Sequence, residues 1–356
     1  MTPRTLVGGS GLRRPDAGGH AWALSAWALG LARIGHRVAF VDPGPALDAG
    51  DATADLLEAE GVAHDVAGAA TFPAGERVVL LNVMGAVAPR AGDAVSAIFV
   101  DIDPGYPQFW HELGLADMFD GHEGFVTIGE NIGRTDCAIP DCGLDWVTTP
   151  PPVVLDAWPP VAGGSAFTTV ATWRNPYGTV TYDGVSYGSR VHEFRKFIEL
   201  PRLVDAEFEL ALDIDAAEVR DLEALEANGW RLVDPRAVAG TAAAYRSYVQ
   251  ASRAELCVAQ NMYVATRSGW LSDRSLCYLA SGKPVLAQDT GFSDNYPVGE
   301  GLLAFSTLEE AAAGVEAIER DYERHCRAAR ALAEEYFDSR TVLSRLLERL
   351  GLGKGR

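Results

Sequence analysis

The sequence predicts an α/β protein of two units, each a parallel sheet covered by helices, facing one another across a cleft. Three observations carry this. Short apolar runs without alternation recur along the chain, as strands buried on both faces require. Helical segments separate them, so strand–helix–strand crossovers repeat. Near the middle of the 356 residues, TTPPPVVLDAWPPVAGG (Thr148 to Gly164) breaks the pattern with a stiff, proline-rich connector, and a chain of this length is expected to divide.

The elements follow in order. TLVGG leads into a glycine-rich loop, GGSGLRRPDAGG, and Ala21 to Ile34 is an apolar helix ended by Gly35. His36 to Pro43 is a buried strand, and Ala54 to Gly61 a short helix. Arg77 to Met84, Ala94 to Asp103 and Gly124 to Gly133 are further strands. The boundary falls near residue 155. The second unit, 156–335, opens with a strand from Ala166 to Trp173. A helix (Ser189 to Leu200), a strand (Glu207 to Asp215), a helix (Glu218 to Gly229), the strand WRLVDP, the helix TAAAYRSYVQAS and the strand ELCVAQ follow. SDRSLCYLASGKPVLAQDTG (Ser272 to Gly291) reads as a helix, a Gly-Lys-Pro break, a buried strand and a turn. GEGLLAF is the last strand. The long helical run from Ser306 to Phe337 starts with Ser306 as cap and Glu309 at capping-box spacing. A closing helix runs from Ser339 to Leu350, within a final segment of 336–356. No 20–50-residue repeat is present.

Composition excludes several classes. The net charge of −19 opposes nucleic acid and anionic lipid. The longest apolar run, Ala21 to Ala32, is too short to span a bilayer, and MTPRTLVGGSGLRRPD lacks the apolar core of a signal peptide; a cytoplasmic protein is expected. The five cysteines are scattered, and Cys137 and Cys142 match neither zinc nor redox spacing. No full GxGxxG precedes the first helix, so a dinucleotide cofactor is not expected, and no metal or other cofactor either.

The densest chemistry lies in RSGWLSDRS (Arg267 to Ser275). A helix N-terminus offers free amides and a positive dipole end to an anion. Here Gly269, next to Ser268, lets the backbone approach closely, Ser272 or Asp273 caps the helix, and Arg274 sits in the first turn, where an anion would balance it. Gly18 and Gly19 precede His20 at the start of the first helix. An imidazole there is a candidate general base. Asp101 and Asp103 end a strand in FVDIDPGYPQFW, and one of them is the second candidate base. Tyr106, Phe109 and Trp110 form either an acceptor platform or core. Glu130 and Asn131 end the next strand.

The order of elements and the stretch SGKPVLAQDTG, then GEGLLAF, then the EEA-type helix resemble the GT-B glycosyltransferases, and within them families 4 and 1. YFDSRTVLSRLL resembles the closing helix that in such enzymes returns to the first domain. SGWLSDRSLCYLASG, with FVDIDPG and GENIG, is similar to a bacterial glycosyltransferase subgroup. The resemblance implies a GT-B fold of two Rossmann-like domains and a metal-independent hexosyl-type transfer from a UDP, TDP or GDP sugar to an unidentified acceptor. The second domain would hold the donor and the first the acceptor. It assigns the donor diphosphate to Arg174, Arg190 and the 268–274 loop, and the donor sugar to Asp289, Thr290 and Gly291. Gly18, Gly19, Asp101, Tyr106, Glu130 and Asn131 would lie on the acceptor side. One departure is plain. Family 4 carries two glutamates eight residues apart around this helix, and Gly269 and Cys277 occupy those positions. Their absence favours inversion, with His20 or Asp103 as base. A sugar-nucleotide epimerase and a non-catalytic nucleotide-sugar-binding protein are the alternatives.

Overall fold

The computed structural model describes residues 4–10, 17–43, 56–58, 61–65, 78–88 and 95–352. Residues 11–16 of the glycine-rich loop lie outside them.

The N-terminal sheet has seven parallel strands: β1 (Arg4–Gly8), β2 (Arg37–Val41), β3 (Ala63–Asp65), β4 (Val78–Val83), β5 (Val95–Asp101), β6 (Gly124–Thr127) and β7 (Trp146–Thr148), in the order β3-β2-β1-β4-β5-β6-β7. The chain winds outward from β1 to β3, then returns beside β1 with β4. Every residue of β4 is buried, as a strand covered on both faces demands. Helix α1 (Gly18–Arg33) covers one face of the sheet, and α2 (Tyr106–Glu112) follows β5.

The C-terminal sheet is also parallel: β8 (Ala166–Thr172), β11 (Glu207–Asp213), β12 (Arg231–Val233), β13 (Ala254–Cys257), β14 (Val285–Gln288) and β15 (Leu302–Phe305), ordered β12-β11-β8-β13-β14-β15. Its helices are α3 (Arg190–Phe194), α4 (Val219–Ala227), α5 (Pro235–Ala239), α6 (Ala242–Ala251), α7 (Asn261–Ala265), α8 (Asp273–Ala280), α9 (Leu308–Arg320) and α10 (Tyr322–Leu332). Between β8 and α3 the chain inserts an antiparallel hairpin, β9 (Val180–Tyr182) and β10 (Val185–Tyr187). Its turn residues Asp183 and Gly184 both have positive φ. An Asp-Gly pair between alternating residues is the sequence signature of such a turn, and the expectation above lacks it.

Three further differences have physical causes. The long helical run is broken at Asp321, whose φ of −141° is not helical. Its capping box is made by Thr307 and Glu310, one residue beyond Ser306 and Glu309, because the Thr307 hydroxyl is the one that reaches the Glu310 amide at 3.2 Å. The helix expected to Leu200 is α-helical only to Phe194 and continues as short 3-10 turns.

The closing helix α11 (Ser339–Arg349) packs on α1, in the other domain, burying Leu343, Leu346 and Leu347. Each such side chain contributes about 1.5–3 kcal/mol. Gly30 lies in the middle of α1 because a Cβ there would meet Leu343 Cδ1 at 2.5 Å and Ser339 Cβ at 2.8 Å. The two passages of chain between the domains run side by side: Val153 N donates to Phe337 O and Ser339 N to Val153 O, both at 2.9 Å. Among the described residues, no helix is long and apolar enough to cross a membrane.

Candidate active site

The domains enclose a cleft of about 550 Å³. On the C-terminal side it opens where β8 and β13 part company in chain order, the place where open α/β sheets leave a crevice. Val170 to Thr172 at the end of β8, Gln260 just after β13 and the first turn of α8 line that wall; the start of α1 and Asp103, after β5, line the other.

Two arginines form the floor. Arg274 is spent on the protein itself: Nε donates to Glu255 Oε1 at 2.5 Å, Nη1 to Val170 O at 2.8 Å and Nη2 to Cys257 Sγ at 3.2 Å. It is a buried, neutralised pin between α8 and two strands. Arg190 differs. It is only 8% exposed, and its partners are two neutral carbonyls, Val258 O from Nε and Thr172 O from Nη1, each at 2.8 Å. Among the described residues no carboxylate pairs with it. Burial pushes its guanidinium down to about 10, and the charge of Arg274 adds to this; at neutral pH it is still a cation. A buried cation without a counter-ion is costly, and it stands beside the N-terminus of α8, capped by Ser272, whose Oγ accepts from Arg274 N at 3.2 Å. The Asp273 side chain, on the same turn, lines the cleft.

On the opposite wall Asp103 accepts a hydrogen bond from the Tyr263 hydroxyl. Burial pushes its carboxyl up to about 6, Tyr263 lowers it, Asp101 raises it and His20 lowers it. Asp101 is turned away: Gln108 Nε2 at 2.8 Å, Thr127 Oγ1 at 2.7 Å and Asp103 N at 3.0 Å saturate it inside the core, and burial pushes it up to about 6. His20 Nε2 lies 2.9 Å from Ser10 O. A carbonyl only accepts, so Nε2 carries a proton, and in the neutral ring Nδ1 is left as acceptor. Gly18 and Gly19 reach the cleft, but their small size serves a close contact between domains: a Cβ on Gly18 would sit 2.2 Å from Thr241 O.

Other expected site residues gather away from the cleft. Asp289 closes its own turn, accepting from Gly291 N at 2.8 Å, Ser293 N at 3.4 Å and Ser293 Oγ at 2.6 Å. Thr290 O takes Gly269 N at 2.8 Å, and Ser268 O takes Asn131 N at 3.0 Å. Asn131 Nδ2 donates to Arg267 O and Gly291 O at 3.0 and 3.2 Å. Gly269, at φ +75°, has Asn131 Cγ where a Cβ would be, at 2.7 Å. Glu130 accepts from the Tyr296 hydroxyl, and burial pushes its carboxyl up to about 7. These residues clamp the domains together. The expectation set 268–269 and 289–291 against a ligand; in the structure they do not line the cleft, and the groups named above are paired within the protein. Arg174, expected at the diphosphate, pairs with Glu218 on the exposed surface and does not line the cleft. Tyr106 and Phe109 are fully buried core.

The sequence reading missed Gln260 and Tyr263. The strand-end rule that selected Asp103 would have selected Gln260, which follows ELCVA directly. Tyr263 carries no such signal; it reaches Asp103 only because α7 crosses to the other domain.

No family model matches the chain, and no curated protein matches it in sequence. Its fold has close structural counterparts. A glycosyltransferase from Rickettsia africae superposes with a TM-score of 0.56 at 12% identity, covering 100% of both chains. AviGT4, a glycosyltransferase involved in avilamycin A biosynthesis, gives 0.56 at 14% identity, covering 99% of each chain. Anabaena Alr3699/HepE, in complex with UDP-glucose, gives 0.55 at 12% identity, covering 98% of this chain and 99% of that one. With two parallel sheets facing a cleft and the last helix returned to the first domain, the chain has the GT-B fold over its whole length.

Proposed function

We propose that the protein is a glycosyltransferase that moves a sugar from a nucleoside diphosphate sugar to a hydroxyl acceptor, with no metal ion. The observation that carries this reading is Arg190, a buried cation with only carbonyl partners at the mouth of a capped helix. A diphosphate supplies the missing charge, and guanidinium binds phosphate oxygens in pairs. The donor lies against the C-terminal domain with its diphosphate on Arg190 and the α8 amides. The acceptor lies against the N-terminal domain.

In the reaction the acceptor oxygen attacks the anomeric carbon while the bond from that carbon to the diphosphate breaks. Arg190 and α8 hold the charge that grows on the leaving diphosphate. The acceptor proton passes to Asp103, a carboxylate at neutral pH because its proton is held only up to about pH 6. His20 Nδ1 is the second acceptor on the same wall. With no glutamate at 269 or 277, the C-terminal domain offers no carboxylate at the positions used by family 4, and attack opposite the leaving group is the outcome this arrangement favours.

Melting shifts with UDP, TDP and GDP test the reading. A ligand at 100 times its Kd adds about 2.7 kcal/mol of stability. Arg190→Ala should cut the shift to about half or less at the same ligand concentration, and transfer from UDP-glucose, the nucleotide sugar bound by HepE, should persist in chelator. If no nucleoside diphosphate raises the melting temperature, the reading fails.

A further inference from the structure

We infer that Tyr263 is a positioning residue for Asp103, the last member of a one-way hydrogen-bond chain that starts at Asn175 and fixes the Asp103 carboxyl as a proton acceptor on the cleft wall. The inference rests on Asp103 being the base of the proposed reaction.

The direction of the chain follows from its first link. Asn175 Oδ1 faces two backbone amides, Tyr177 N at 3.0 Å and Gly178 N at 2.9 Å. Amides only donate, so this end of the Asn175 side chain is oxygen. The other end, Nδ2, must donate, and it faces Gln260 Oε1 and the Tyr106 hydroxyl. Tyr106 OH also gives its proton to Gln260 Oε1, at 3.1 Å. With Oε1 thus an acceptor, Gln260 Nε2 is the end that meets the Tyr263 hydroxyl, at 3.2 Å. That hydroxyl accepts from Gln260, so its one proton goes to Asp103 Oδ1. While Asp103 is ionised, no member can reverse without placing two donors or two acceptors face to face. The chain runs from the hairpin side of the C-terminal domain to the N-terminal domain. It is rigid at its last link: Tyr263 is 1% exposed, and its ring lies 4.5 Å from that of Trp270 at 33°. In a dry environment linked hydrogen bonds strengthen one another.

The groups facing Asp103 set the sign of its response. The Tyr263 bond favours the ionised carboxyl and His20 does the same, while burial, Asp101 and Asp273 favour the protonated one. Tyr106 and Arg190 face Tyr263 from the other side. Removing the hydroxyl therefore raises the proton affinity of Asp103.

Tyr263→Phe keeps the ring and its stack on Trp270. Asn175→Ala breaks the chain at its origin, without touching Asp103. The experiment follows the carbon-13 resonance of the Asp103 carboxyl with pH, assigned by its loss in Asp103→Asn, and in parallel the pH profile of kcat/KM for UDP-glucose hydrolysis, water serving as acceptor. The carboxyl titration is expected to move up by about one pH unit in Tyr263→Phe and by less, in the same direction, in Asn175→Ala. The acid limb of the rate profile should move with it. An unmoved titration in a folded Tyr263→Phe protein, with only a lower melting temperature, overturns the inference. A moved titration with an unmoved rate profile upholds the chain and overturns Asp103 as the base.

Discussion

The contact between the domains has two regions of opposite character. At the clamp, around Asn131, polar groups meet protein partners: Asn131 donates to two carbonyls and accepts from Asn295 Nδ2 at 3.1 Å, and Arg267 pairs with both Asp136 and Asp294. At the cleft, Arg190 meets only neutral carbonyls, and two walls stand apart around a volume of about 550 Å³. The stretch from Ser272 to Gly291 contributes to both. Its first turn reaches the cleft and its last turn belongs to the clamp. Glycines, aspartates and arginines of the same kind occur in each region, so residue type does not tell a ligand site from an interface. The state of pairing does, because an unpaired buried charge is tolerated only where something else supplies its partner.

Substitutions can break this comparison. The largest effect is expected for Asp103→Asn, which should lower transfer about 100- to 10,000-fold while the fold persists, as initial rates and melting together would show. Arg190→Ala should weaken nucleoside diphosphate binding about 10- to 100-fold, as loss of charge-assisted hydrogen bonds does, measured by titration calorimetry. Asn131→Ala should act on stability instead, costing about 1–3 kcal/mol by leaving buried carbonyls unpaired. Equal loss of nucleotide affinity in Asn131→Ala and Arg190→Ala would erase the distinction.

pH sharpens it further. Burial raises Glu130 from 4.5 to about 7, so the folded state binds its proton more tightly than the unfolded chain. This contribution to stability is full below about pH 4.5 and lost as pH rises through about 7. Glu130→Gln should remove that part of the slope of melting temperature against pH. At the cleft the same kind of shift acts on rate: Asp103 is raised from 3.8 to about 6, and activity should rise with pH through that value. The smallest effect is expected for Asp289→Ala, which should leave nucleotide affinity within about twofold and cost only its turn.

The fold was legible because buried parallel strands and their crossover helices leave a pattern that needs no knowledge of contacts. The proposed anion seat was half legible. Ser272 and Arg274 advertise a helix start, but that Arg274 is neutralised by Glu255, nineteen residues earlier, is visible only once β13 and α8 are side by side. Arg190 and Arg174 look alike in sequence; a neighbouring acid on α4's approach, Glu218, takes one and leaves the other. The pairing of Asp289 with its own turn is not legible in sequence, because a turn that exposes an acid and a turn that consumes it have the same residues.

The helix that closes the N-terminal domain is made long after the helix it covers. Leu343, Leu346 and Leu347 cover a face of α1, yet residue 339 leaves the ribosome long after residue 33. At about 5–20 residues per second this interval is roughly 15 to 60 s. During synthesis α1 therefore waits with an uncovered apolar face while the C-terminal sheet can assemble behind it, and the N-terminal domain is finished only after that sheet. A nascent chain arrested before residue 336 should be cut by protease at α1 and resist cleavage in the C-terminal sheet; equal protection of both would show that α1 finds cover elsewhere.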